Sequence, residues 1–194
     1  AAAAVVFGLS PLSASADEVS DYPNRPISIV VGFTAGGGND VVARIVGNKV
    51  GELLKTSVVI LNRPGANGAI AMESVAKAAP DGYTIILGSS SVIAINPVVS
   101  GSAGQDPTRN FVGLGTVAMT PQVLAVNPSI AARPISEFVA LSQKQEISVA
   151  SAGIGGLPHL AIELIQSREG AKLLHVPYRG GAPAAMPIHA SSAA

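Results

Sequence analysis

The sequence predicts an α/β protein built on parallel sheets, and three observations carry that expectation. Apolar, β-branched runs alternate with helix-period segments along most of the chain. Each run is continuous rather than interleaved with polar residues, as in strands covered on both faces. Turns rich in glycine, proline and serine separate the runs. Strict alternation of this kind builds parallel sheets flanked by helices. With 194 residues, 48% hydrophobic and 12% charged, the chain has the apolar content for a substantial core and too little charge for a disordered one.

The elements follow in order. Residues 1–23, "AAAAVVFGLSPLSASADEVSDYP", open apolar and reach the small-x-small site Ala14, Ser15, Ala16 just before Asp17. This resembles the end of a secretory signal peptide cut after Ala16, and implies export; a flexible Ala-rich leader is the other reading. No later stretch approaches the roughly eighteen apolar residues of a membrane helix, so the mature chain is expected to be soluble. "ISIVVGF" (27–33) reads as a first buried strand, and Val42, Ile45, Val46, Val50 and Leu53 then recur at helical spacing. "SVVIL" (57–61) is a second strand, "RPGANG" a turn, 69–78 a helix, "PDGY" a turn and "YTIILG" (83–88) a third strand. After "SSS" and "INP" the pattern loosens. It resumes with "VLAV" (123–126), a helix over 135–143, "ISVAS" (147–151), a helix over 157–166 and "LLHVPY" (173–178). A boundary near Pro121 divides the chain into a first lobe over 17–121 and a second over 122–194.

Lys+Arg and Asp+Glu each total 12, and no basic cluster stands out, which argues against a nucleic-acid partner. There are no cysteines and the three histidines are scattered, so neither thiolate chemistry nor a metal site is expected. No G-x-S-x-G elbow is present, and no carboxylate is placed to orient His159, so an enzyme is not expected.

The glycine loop "GFTAGGGND" (32–40) lies between the first strand and helix. It fails as a dinucleotide fingerprint, since Val41 stands at the last glycine position and "ILNR" lacks the ribose-binding acid. It fails as a P-loop because Gly38 and Asn39 replace Lys and Ser/Thr. A close turn needing glycine only for its dihedrals remains possible, as does a cradle in which exposed amides and the helix dipole favour a small anion such as a carboxylate. Asn39 or Asp40 is expected as the helix N-cap, with Asp40 outside any anion site because it would repel the ligand. Gly37 is expected to be where backbone approach, and a positive φ, exclude a side chain. "GSSS" (88–91) and "SAGIGG" (151–156) end two further strands in donor-rich loops, and ligands of open α/β sheets bind at such ends. A cleft between two lobes would collect all three. His159 is open between a structural and a ligand-facing role; His175 reads as packing.

"YPNRPISIVVGFTAGGGNDVVARIV", "VVILNRPGANGAIAMESVAKAAPDGYTIILGSSS", "INP", "SAGIGGLPHLAIELI" and "HVPYRGGAPA" together resemble the motifs of Bug-type receptors, the periplasmic substrate-binding components of tripartite tricarboxylate transporters. The resemblance runs from about Tyr22 to Ala185. It implies a bilobed periplasmic binding protein, type II-like, with parallel-rich sheets flanked by helices. It further implies a monomer without cofactor or metal that captures an organic acid or acidic amino acid and delivers it to membrane permease subunits. Carried over by position, the first-lobe grip would be Thr34, Ala35, Gly36 and Gly37, with Ser89, Ser90 and Ser91 opposite. The second lobe would add Ser151, Gly153 and Gly155, then Tyr178, Arg179 and Gly180, with Arg179 as the only full positive charge. A ligand sensor of the same fold, feeding a membrane signalling protein, is the alternative. From about Met186, "PAAMPIHASSAA" departs from the family pattern, so the second lobe is expected to be incomplete.

Overall fold

The computed structural model describes residues 21–99, 106–130, 132 and 134–190; the leader over 1–16 lies outside them. Strands β1 (Ile27–Val31), β2 (Val58–Asn62) and β3 (Thr84–Leu87) form one sheet in the order β2-β1-β3, parallel in both pairings. Strand β1 is central, which is why Ile27, Val30 and Val31 are its most deeply buried residues. Helix α1 (Gly38–Leu54) crosses from β1 to β2. A 3₁₀ turn over Ala66–Gly68 runs into α2 (Ala69–Ala76), which leads to β3. Beyond β3 a single wide, π-type turn over Ser91–Ile95 continues into α3 (Asn96–Val99). Next comes α4 (Pro107–Asn110), a short helix capped by the Asp106 carboxylate on Thr108 N.

The second sheet pairs β4 (Ile147–Ser151) with β5 (Leu173–Pro177), again in parallel. Helix α5 (Ile135–Lys144) precedes it, α6 (Leu157–Glu169) connects its strands, and α7 (Gly181–Ala190) follows. The α/β class with parallel sheets is therefore as the sequence predicts. Each lobe has its own core. Ile29, Val31 and Ala43 pack with Val58, Ile60 and Leu87 on the α1 side, and Phe33, Met72 and Val92 with Ile86 and Phe111 elsewhere. Phe138, Ile162 and Leu173 anchor the second lobe's core.

Two sequence expectations are corrected. Helix α1 buries Asp40, Ala43 and Gly47, while Ile45 and Leu53 are exposed. Small residues let the helix lie close on the sheet: a β-carbon on Gly47 would come within 3.1 Å of both Ile60 and Val58. Large side chains on that face would hold the helix away. Residues 123–126, read as a strand, pair with no strand among the described residues. Val126 packs instead against the second lobe's core.

Candidate functional site

Strands β1, β3, β4 and β5 carry at their carboxyl ends the loops singled out in the sequence. The loop after β1 turns at Gly36, whose φ of +81° is the left-handed region that glycine enters without penalty. This corrects the expectation for Gly37, whose φ is −78° and where a β-carbon would make only ordinary contacts, the nearest at 3.5 Å to Thr34 O. Gly37 is also the N-cap of α1, with no side chain capping it, so neither Asn39 nor Asp40 holds that position. Asp40 sits in the first turn and reaches backward: its Oδ2 accepts the Gly36 N–H at 2.9 Å. Arg44 grips the same carboxylate with two bonds, of 2.9 and 3.0 Å, and Asn62 Nδ2 donates to it at 2.9 Å and to Phe33 O at 3.1 Å. The Arg44 guanidinium first, then the Gly36 and Asn62 donors, hold the Asp40 carboxyl down at about 2 against the opposing effect of burial. Asp40 thus fixes the glycine loop from behind and consumes the Gly36 amide.

After β3, Ser89 O closes the wide turn by accepting from Val92 and Ile93 N. Ser90 is exposed, and Ser91 Oγ is buried and accepts the N–H of Leu157, the first residue of α6, at 2.9 Å. A first-lobe serine therefore caps a second-lobe helix. In the loop after β4, Ser151 Oγ lies 2.6 Å from His175 Nε2 and accepts from Gly153 N at 3.2 Å. Gly155 N donates to His159 Nδ1 at 3.0 Å, so the proton of the neutral His159 ring sits on Nε2, 3.4 Å from Glu163 Oε1. The two imidazoles stack with centroids 4.0 Å apart. Burial, then the neighbouring His159, pushes His175 below the ordinary histidine range, with Glu163 opposing. His159 is thus engaged in holding the β4 loop.

The loops of the two lobes meet. A β-carbon on Gly180 would lie 2.5 Å from Thr34 Oγ1, and one on Gly156 2.9 Å from Asn67 Oδ1. The first amides of α7, those of Gly181 and Ala182, lie over Gly37, where α1 begins. Between the lobes is a cavity of about 290 Å³. Its first-lobe wall includes Phe33, Ala66, Asn67 and Asn96; its second-lobe wall includes Gly153, Tyr178 and Arg179. Among the described residues, Arg179 is the cationic side chain that lines it. Of the residues carried over from the family, Gly153, Tyr178 and Arg179 line this space, Thr34 and Gly180 touch at the lobe junction, and Ala35 is exposed.

Among the described residues, three buried side-chain polar atoms have no partner: Thr34 Oγ1, Asn67 Nδ2 and Ser89 Oγ. They follow β1, β2 and β3 respectively, so every strand of the first sheet ends in one unmet polar group. Asn67 was passed over in the sequence because "RPGANG" reads as a plain turn; its N-G pair marks a left-handed residue but gives no sign that the side chain enters a cleft. No group of three or more acidic or histidine side chains able to hold a metal occurs among the described residues. No helix among them is long and apolar enough to cross a membrane.

A model of the tripartite tricarboxylate transporter family receptor matches residues 42–193. Protein BugT of Bordetella pertussis is 35% identical over 170 residues, 86% of this chain and 52% of that protein. The structure of R. palustris Rpa4515 with adipate is similar with a TM-score of 0.84 and 32% identity, covering 89% of this chain and 58% of that one. MatC from Rhodopseudomonas palustris with bound malate is similar with a TM-score of 0.81 and 26% identity, covering 88% and 59%. The chain spans about half the length of the curated relatives it matches.

Proposed function

The chain belongs to the receptor family of tripartite tricarboxylate transporters, and we propose that it captures a small carboxylate in the periplasm, between its two lobes, for delivery to membrane permease subunits. The observation that carries this reading is the trio of unpartnered polar atoms, Thr34 Oγ1, Asn67 Nδ2 and Ser89 Oγ, at the three strand ends of the first sheet. Leaving a buried polar group unmet costs about 1–3 kcal/mol; Asn67 lines the cavity and Thr34 lies at the lobe junction, so these groups favour a ligand that meets them. Arg179 supplies a permanent positive charge on the cavity wall, and the starts of α1 and α7 bring two positive helix ends together. An anion relieves that convergence. At about 290 Å³ the cavity lies at the lower end of ligand sites and suits an organic acid better than a nucleotide.

Receptor function fits the site better than catalysis. Among the described residues, Ser151 and His175 form a close serine–histidine pair, but Ser151 is 2% exposed and does not line the cavity. Adipate and malate, bound by two similar proteins, are the first acids to try. Calorimetric titration with adipate, malate and acetate tests the reading. Saturable binding of one dicarboxylate per protein is expected; no heat from any of the three refutes it. Recovery of permease subunits with the receptor from membranes separates transport from the signalling alternative.

A further inference from the structure

We propose that Asn67 is the specificity-determining donor of the cleft, its side-chain amide hydrogen-bonding an oxygen of the captured acid. This rests on the receptor reading above and adds a residue that the glycine and serine loops do not include.

Two costs are concentrated at this one residue. Its backbone is left-handed, with φ 50° and ψ 36°. Its Nδ2 is buried without a partner. Folding gains nothing evident from either, and glycine would remove both. Asparagine is, with aspartate, the side chain that tolerates the left-handed region best, so the conformation is compatible with keeping a functional group there. An outlier of this kind, held by its surroundings, points toward a role in binding. The surroundings are specific. The neighbouring Gly68 has φ +89°, and a β-carbon there would meet Val92 at 2.5 Å; a β-carbon on Gly32 would come within 2.7 Å of Gly68 Cα. The turn carrying Asn67 is therefore pinned between the β1 loop and the wide turn after β3.

Across the cleft, Gly156 lacks the side chain that would collide with Asn67, since a β-carbon there would approach its Oδ1 to 2.9 Å, and one on Gly153 would touch the same oxygen at 3.4 Å. Both lobes are shaped around this amide. Asn67 and Arg179 line the same cavity. The guanidinium offers a charge to one carboxylate, while the amide offers a neutral N–H to another ligand oxygen. A neutral donor recognises position without adding charge, which is how a site built to hydrogen-bond an oxygen discriminates against a ligand that lacks it.

The test uses Asn67→Gly and Asn67→Asp, both compatible with the left-handed backbone, titrated with adipate and malate alongside thermal melting. Asn67→Gly should melt at or above the temperature of the unaltered protein yet bind roughly ten- to a hundred-fold more weakly, as loss of a hydrogen bond to a charged group gives. Asn67→Asp puts a carboxylate where the donor stood and should abolish binding of these dianions. Affinity within two-fold of the unaltered protein in Asn67→Gly overturns the assignment and leaves the receptor reading intact. A clear drop in melting temperature in Asn67→Gly also overturns it, since the side chain would then be structural. If the unaltered protein binds neither acid, the receptor reading and the assignment fall together.

Discussion

Replacing Asp40 by asparagine removes one charge and changes little in shape, so its effect can be worked from the structure. The Asp40 side chain is 3% exposed and is held by Arg44, Asn62 and the Gly36 amide. Its carboxyl is lowered from 3.8 to about 2, a difference worth roughly 2 kcal/mol between charged and neutral forms. Arg44 is 53% exposed, so solvent screening reduces the expected figure to about 1–2 kcal/mol. The sign follows from linkage. The folded-state value lies below the unfolded one, so the contribution is fully present above about pH 4 and is lost as pH falls toward 2. Urea unfolding of both proteins at pH 7 and at pH 2 measures this. Asp40→Asn should be less stable by about 1–2 kcal/mol at pH 7, and the gap should shrink to roughly a few tenths of a kcal/mol at pH 2, where the native carboxyl is about half neutralised. A gap that persists unchanged at pH 2, or no gap at pH 7, refutes the reasoning. The same variant should bind adipate more weakly at pH 7, because the glycine loop loses the charged acceptor behind Gly36.

Gly180→Ala places a β-carbon 2.5 Å from Thr34 Oγ1 at a φ of +140°, so the lobes should fail to meet; small-angle scattering with saturating malate should show a larger radius of gyration than for the unaltered protein, and an equal radius contradicts the contact. His175 is shifted below the ordinary range, so its neutral form stabilises the fold, fully above about pH 6.5 and decreasingly as pH falls below it. Melting temperatures between pH 7.5 and 5 should therefore decline less steeply in His175→Gln than in the unaltered protein, and identical slopes would remove His175 as a source of the decline. The Asn67 variants described above complete the set.

What was legible in the sequence follows a physical divide. The strands declared themselves because a central parallel strand such as β1 must be apolar on both faces. The start of α6 was visible from Leu157 and Pro158 after the double glycine. Helix α7 was not, because "GAPAAMPIHA" has little amphipathic contrast and carries Pro187 in its interior, where proline normally signals an end. The face of α1 was misjudged because hydrophobic periodicity weighs large residues, whereas Ala43 and Gly47 make the contact. Asp40 was set aside as a helix cap; Arg44, four positions on, stands at the spacing of a helical ion pair, but Asn62 is 22 positions away and nothing in the spacing links it. Asn67 was hidden for a related reason: a turn asparagine that satisfies its own backbone and one that presents its amide to a cleft have the same sequence signature.

The bond from Leu157 N to Ser91 Oγ has a consequence for the energy of closing. In a receptor that opens and shuts, parting the lobes returns this amide and hydroxyl to water and uncaps α6. A cap of this kind is worth about 1 kcal/mol, roughly a five-fold change in a two-state equilibrium. That increment belongs to the protein and is present whatever the cleft holds. It lifts every ligand's apparent affinity by the same factor and leaves their ranking untouched. In such a receptor avidity and discrimination fall to different groups: Ser91 would set how readily the jaws shut on anything, and the groups that line the cavity would decide what is worth shutting on.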